Sequence, residues 1–382
     1  MRASTIQAQK WPRMVEIIYN QHLMIYKKAD FAPFPADAGR VIANLEAAYN
    51  QLVDANMQRD ALPTSMFWQT KSGTDYLAVK RRSSDPGTTA GPRAPETEQR
   101  LSDFKTLKDG LKAKITATNS LLADRAQQYR SLRLPVLPDR QGEILREIDR
   151  RGLLGNDLLV VGTNAFAAYE FACNARFPVG NQETEGFDLA WCRGTSVSLA
   201  RIAPTQAQRN RPSLFSVLRS IDASFQINSK KPYQAVNQAG YEVELLAAPS
   251  THPLPRDAQF DPMASLVEQE WLLRGRPISC VVATVRHRAC PLYVPDPRWM
   301  AMHKLWLAQK PGRNPAKKPK DERQGNVLLD AARYFLKDTY PLDLDFVFAL
   351  PDELRELFNR WAESRRFDPA SADQTGPGSA AP

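Results

Sequence analysis

The sequence predicts an α+β fold: a mixed sheet flanked by helices, with helical additions at both ends of the chain. Three observations carry that expectation. Short apolar runs of buried-strand type, such as DLLVV at 157–161, alternate with helical spacing through the middle of the chain. Apolar residues at intervals of three and four dominate the stretches before and after it. Finally, 43% of the 382 residues are hydrophobic and 24% charged, a globular balance that excludes wholesale disorder and collagen-like structure.

Taken in order, residues 1–130 read as a mainly helical region. Within 36–59, Val41, Ile42, Leu45, Ala48, Tyr49, Leu52 and Val53 have amphipathic helix spacing. Residues 67–81 place Trp68, Tyr76, Leu77 and Val79 around Ser72-Gly73, which suits a short hairpin. Residues 83–98 are crowded with Pro, Gly, Ser and Thr and read as a mobile loop. A second helical stretch follows at 101–133.

A sheet domain is expected over 131–292. It opens with a short helix at 143–151 and the strand at 157–161, then a helix at 165–173. A strand-like run at 186–192 and a helix at 213–221 follow. Further strands are expected at 225–228, 242–247 and 278–284. Residues 293–366 form a helical C-terminal region, with helices at 299–309, 321–336 and 352–363. Residues 367–382 are too poor in apolar bulk to fold and read as a disordered tail.

Several function classes drop out. Cys173, Cys192, Cys280 and Cys290 are scattered, and with only four histidines a zinc ribbon or finger is not supported. The cysteines fit small buried hydrophobes in a reducing compartment. The first 14 residues have no apolar core of a signal peptide. The most apolar stretch, 158–173, contains Gly162, Thr163, Asn164 and Glu170, which is wrong for a membrane span. A cytoplasmic protein without membrane contact is expected. No G-x-S-x-G or paired nucleophile supports a hydrolase triad.

Lys and Arg exceed Asp and Glu, 51 against 42, for a net charge of +9. Residues 301–325 hold seven cations against Asp321 and Glu322, and residues 206–233 hold five against Asp222. Such clusters suit a polyanion, either a nucleotide triphosphate or RNA. A solvated basic loop has the same composition, and Lys317 and Lys318 read better that way.

The segment VVGTNAFAAYE, 160–170, runs from a buried strand into Gly162-Thr163 and a helix beginning near Asn164. Gly permits close backbone approach, Thr offers a hydroxyl, and the helix start offers free N–H groups, so Gly162, Thr163 and Asn164 make a phosphate-sized anion site. A capped strand-to-helix turn with no ligand fits the same residues. Further on, Asp188 and Glu244 sit in strand-like apolar runs, where a carboxylate needs a metal, a base or a donor. Brought together, they suit Mg²⁺ (or Mn²⁺), which prefers oxygen ligands and shares them with substrate phosphates. On edge strands each would simply face solvent.

This order, G-T-N-A at 162–165, T-E-G-F-D-L at 184–189 and V-E-L-L at 243–246, resembles the nucleotidyltransferase superfamily of polymerase-beta type. More closely, the chain resembles a little-characterised bacterial family of nucleotidyltransferase-like proteins, through 233–249, 294–307 and 313–324. The resemblance spans roughly 135–350. It implies transfer of an NMP from an NTP such as ATP to a hydroxyl acceptor, RNA or a protein among them, by a divalent-metal mechanism. It also implies that Asp188 and Glu244 bind metal and that Lys304 and Lys320 reach phosphate.

One departure is central. The superfamily carries two acids in a D-h-D pair on one strand, and the first position here is Gly186. Glu185 is adjacent but of the wrong parity for a regular strand; a bulge at Gly186 brings it round and makes it a catalytic candidate. Two outcomes stay open: an Mg²⁺-dependent transferase with a substitute carboxylate, or a catalytically inactive nucleotide- or RNA-binding module. A third class is an interaction protein whose N-terminal helices bind another protein.

Overall fold

The computed structural model describes residues 25–178 except Ser83, together with 196–201, 212–248, 250 and 266–372. Strand β1 (Ala32–Pro33) precedes helix α1 (Ala38–Ala61), whose Val41, Leu45, Ala48 and Tyr49 form the buried stripe that their spacing predicts. Strands β2 (Ser65–Lys71) and β3 (Thr74–Lys80) pair as the expected hairpin. Ser72 and Gly73 have φ of +49° and +81°, the handedness of a type I′ turn, which matches the twist of the strands.

The stretch expected to be a loop contains β4 (Thr88–Pro92), which pairs with β3 and makes a three-stranded sheet. Its Gly and Pro content hid it. It is an edge strand whose register slips between Leu77 and Ala78, where such residues are tolerated. Helix α2 (Pro95–Ser131) lays Leu101 and Phe104 against Leu77 of this small sheet. Further along, its Leu122, Ala126 and Tyr129 join the main core.

The central region runs through β5 (Val136–Leu137), α3 (Asp139–Arg150), β6 (Leu158–Val161), α4 (Phe166–Cys173) and β7 (Ala175–Arg176). It continues with β8 (Ser196–Arg201), α5 (Leu214–Ile221), β9 (Gln226–Asn228), β10 (Lys231–Val236) and β11 (Glu242–Leu246). Next come β12 (Ile278–Thr284), β13 (Ala289–Val294), α6 (Pro297–Gln309), α7 (Lys318–Phe335), α8 (Leu344–Ala349), α9 (Asp352–Ser364) and α10 (Pro369–Ala372). Helix starts are capped locally: the Ser213 hydroxyl accepts from Ser216 N, and the Asp296 carboxylate accepts from Arg298 N ahead of Pro297.

The main sheet has the order β6-β8-β11-β10-β9, with β8 and β11 parallel and the other neighbours antiparallel. It is the mixed sheet that the α+β expectation requires. A second sheet, β13-β12-β5, is also mixed. Val160, Val197, Leu199, Val243, Leu245 and Ala235 give the main sheet its apolar face, all buried in a core shared with α1, the end of α2, α3, α4, α6 and α7. Strand β1 pairs with β7 and ties the start of the described chain to this core. The strand expected at 186–192 lies outside the described residues. So does residue 373 onward of the expected tail. Among the described residues, no helix is long and apolar enough to cross a membrane.

Candidate active site

On its second face the main sheet carries polar side chains from β8, β11 and β10, beside the buried Val161 of β6. Side chains alternate along a strand, so the residues that bury Val243 and Leu245 send Glu242 and Glu244 to the opposite side. In register, Glu244 lies opposite Ser198 on β8 and opposite Gln234 on β10, while Ser198 lies opposite Val161 at the end of β6. Ser198 Oγ donates to Glu244 Oε2 at 3.2 Å, and Gln234 Nε2 donates to Glu244 Oε1 at 3.3 Å and to Glu242 Oε2 at 3.0 Å. Gln234 is itself 1% exposed, and its Oε1 accepts from Asn228 Nδ2 at 2.7 Å. Both oxygens of Glu244 are thus aimed by neutral donors, which fix the carboxylate without cancelling its charge.

One residue beyond Val161 the chain turns. Gly162 has a φ of +74°, a conformation that costs an L side chain strain, and a Cβ placed there would meet nothing within 4 Å. The turn is therefore kept open by conformation and by empty space together. A four-residue 3-10 turn, Gly162–Ala165, feeds α4, which starts two residues later than the helix start expected at Asn164. Thr163 Oγ1 accepts from Gln324 Nε2 of α7 at 3.3 Å, and Asn164 is buried.

The cations expected at phosphate are arranged differently. Lys304 is 4% exposed, and its amine donates to Asp321 Oδ1 at 2.8 Å; Arg313 takes the other oxygen through Nε at 2.8 Å. Burial pulls the Lys304 pKa down, and Asp321 acts against that. Lys310 pairs with Glu268. Much of the 301–325 charge excess thus serves to join helices, while Lys320 is half-buried in the first turn of α7. Next to Lys304, His303 is buried edge-on to Trp271, at 6.4 Å between ring centroids, and neither ring nitrogen has a hydrogen-bond partner. Burial, then the neighbouring Lys304, pushes its pKa down to about 3.

Asp188, Glu185 and Gly186 lie outside the described residues, so the described part of the site is the Gly162 turn and Glu244. Among the described residues, no three His, Cys, Asp or Glu side chains converge as a metal group. A separate cleft of about 800 Å³ lies between α1, α3 and α5 and shares none of these residues. Sequence reasoning missed Gln234, Ser198, Gln324 and Glu242. Only Glu242 had a readable signal, its E-x-E spacing with Glu244 on a strand.

The sequence pattern of a nucleotidyltransferase family matches residues 139–345, more than half of the chain. The chain belongs to that family. No curated protein and no solved structure matches it. The matched span runs from the start of α3 into α8 and contains the Gly162 turn, Ser198, Gln234, Glu242 and Glu244, and the Lys304–Asp321 pair.

Proposed function

We propose that the polar sheet face is the reaction site of a nucleotidyltransferase that moves an NMP from an NTP, ATP among them, to a hydroxyl acceptor. The observation that carries this reading is the register Val161–Ser198–Glu244. It sets the open Gly162 turn and a held carboxylate on one face, two strand spacings or about 10 Å apart. That separation suits a triphosphate lying between them. The turn at Thr163 and Asn164 is of a size that suits phosphate oxygens, and Lys320 in the first turn of α7 is the cation expected there.

The donors fit a hard divalent cation, Mg²⁺ or Mn²⁺. Glu242 and Glu244 offer carboxylate oxygens on one face, and each Glu244 oxygen carries one neutral hydrogen bond, which leaves lone pairs to share. Asp188 is the further ligand, from the segment that leads into Ser196 opposite Glu242. When bound, such a cation neutralises the triphosphate and the charge on departing pyrophosphate. The acceptor oxygen bonds to the α-phosphorus, the bond to the bridging oxygen breaks, and the hydroxyl proton passes to a carboxylate of this face. Gly186 brings no side chain to the first acidic position; Glu185 or Glu183, from the same segment, substitutes for it, and Glu242 is a further carboxylate on the described face. The acceptor hydroxyl belongs to RNA, a protein side chain or a small molecule.

The test is incubation with each α-labelled NTP, Mg²⁺ or Mn²⁺, and cellular RNA or protein. Label transfer is expected, reduced by roughly a hundredfold or more in Glu244→Gln and in Asp188→Ala. Gln234→Leu, which removes one donor from each glutamate while Ser198 still holds Glu244, is expected to fall between these and the parent. Transfer that survives both acidic substitutions overturns the site. Gly186 favours a second reading, a nucleotide-binding module without transfer. It predicts a nucleotide-dependent thermal shift with no labelled product from any NTP.

A further inference from the structure

The small sheet of β2, β3 and β4 has two faces of opposite character. Met66, Trp68 and Leu77 turn inward, toward Leu101 and Phe104 of α2. Ser65, Phe67, Gln69 and Lys71 alternate with them on β2 and face outward, opposite Lys80, Ala78, Tyr76 and Thr74 of β3. Phe67 is 38% exposed; among the described residues, Phe348 is the other exposed phenylalanine. Tyr76 is its diagonal neighbour across the pair, within reach of a shared stacking partner.

The charge on this face has one sign. Lys80 Nζ lies 5.8 Å from the Phe67 ring centroid, and Lys71 Nζ reaches across to Thr89 on β4 at 3.3 Å. Arg81 and Arg82 continue from the end of β3, both exposed. None of the outward strand positions is acidic. Asp75 belongs to the other face, where Thr70 and Arg93 hold it, and Asp85 is taken up by the Arg82 backbone N–H. Residues 65–93 carry five cations against those two acids.

We propose that this face binds single-stranded nucleic acid. Phe67 and Tyr76 stack on bases, and Lys71, Lys80, Arg81 and Arg82 follow the phosphates. Every base has a π-face and every nucleotide a phosphate, so aromatic rings bordered by cations on a sheet face suit a single strand. A duplex hides its base faces and leaves Phe67 nothing to stack on. A lipid surface is a poorer match, because Ser65, Gln69, Thr74 and Thr89 surround the one exposed ring, and too little apolar area is left to enter a bilayer. The inference does not rest on the nucleotidyl-transfer reading, and its test contains no NTP.

The test is fluorescence anisotropy of the full chain with labelled 12-nucleotide oligo(U), oligo(dT) and a duplex of equal length. Binding to one or both single strands is expected, with the RNA and DNA arms reporting which sugar is preferred. Phe67→Ala is expected to weaken it at least fivefold, the low end for loss of one stacked base, while Phe67→Trp retains it. Lys71→Ala with Lys80→Ala is expected to flatten the slope of log affinity against log salt by about 1.4, at 0.7 per lost phosphate contact. Phe348→Ala, which removes an exposed ring on α8, is expected to change nothing. The proposal is overturned if no single strand binds at 100-fold excess, if Phe67→Ala binds like the parent, or if the duplex binds equally well. Phe67-dependent binding to anionic vesicles without oligonucleotide binding also overturns it.

Discussion

His303 shows how one residue's surroundings decide its chemistry. It sits between a helix crossing and Trp271, with Lys304, Arg313 and Lys310 as the charges that oppose its protonation and Asp321 as the one that favours it. Burial outweighs them all, so the imidazole stays neutral down to about pH 3, whereas in the unfolded chain it titrates near 6.5. The folded pKa is depressed, so the stability is fully present above the unfolded pKa and is lost as pH falls from there toward the folded value. At pH 5 the loss is about 2 kcal/mol, from one and a half units at about 1.4 kcal/mol each. His303→Leu is expected to narrow the stability difference between pH 7 and pH 5 by that amount, read from urea midpoints at the two values. An unchanged difference would show that another group carries the acid sensitivity. The same neutrality keeps His303 from serving as a cation for phosphate.

At the scale of elements, the pairing of α6 with α7 explains why Lys304 is unsuited to its expected role. The helices approach so closely that a Cβ at Gly325 would lie 2.6 Å from Leu305 Cγ and 2.9 Å from the Ala301 carbonyl oxygen. Lys304 and Asp321 fill the same crossing, with Arg313 closing it. Removing Lys304 leaves Asp321 paired to Arg313, whereas removing the Asp321 charge leaves Lys304 buried and alone. Asp321→Asn is therefore expected to cost more, about 3–5 kcal/mol, than Lys304→Met. Chemical denaturation of both variants checks the order, and equal costs would mean that Lys304 relies on Arg313's partner less than the geometry indicates. α6 and α7 were legible from 3.6-residue spacing, and so was the Gly-Thr turn between strand and helix. Strand β4 was not, because Pro and Gly at an edge erase the alternating pattern. Nor were the partners of Lys304 and Glu244, because they lie 17 and 46 positions away and depend on how the elements pack.

Over the whole molecule, the reading of residues 1–130 as an appended region meets a physical test. Two cores exist in the described chain. The smaller joins Leu77 to Leu101 and Phe104, and it belongs to the outer sheet and the first half of α2. The larger runs without a break from Leu45 and Tyr49 on α1, through Leu122 and Tyr129 on α2, to Ile148 on α3 and Cys290 on β13. Tyr49 also donates its hydroxyl to Asp149 Oδ2 at 2.7 Å, and Arg150 reaches Asp60. A chain that begins at residue 131 would bare the apolar faces of α3, β12 and β13, each buried residue forfeiting roughly 1.5–3 kcal/mol of transfer free energy. Against a total stability of about 5–15 kcal/mol, a handful of such losses is decisive. The truncated chain is expected to aggregate or to lack a cooperative thermal transition. A chain in which residues 65–93 are replaced by a short Gly/Ser linker should keep one, because those residues belong only to the small core. Scanning calorimetry of the two chains decides the matter: cooperative unfolding of the 131–382 chain would make α1 and α2 a separable domain. Failure of that chain beside success of the sheet deletion would make them part of the scaffold that holds the Gly162 turn and Glu244 in register.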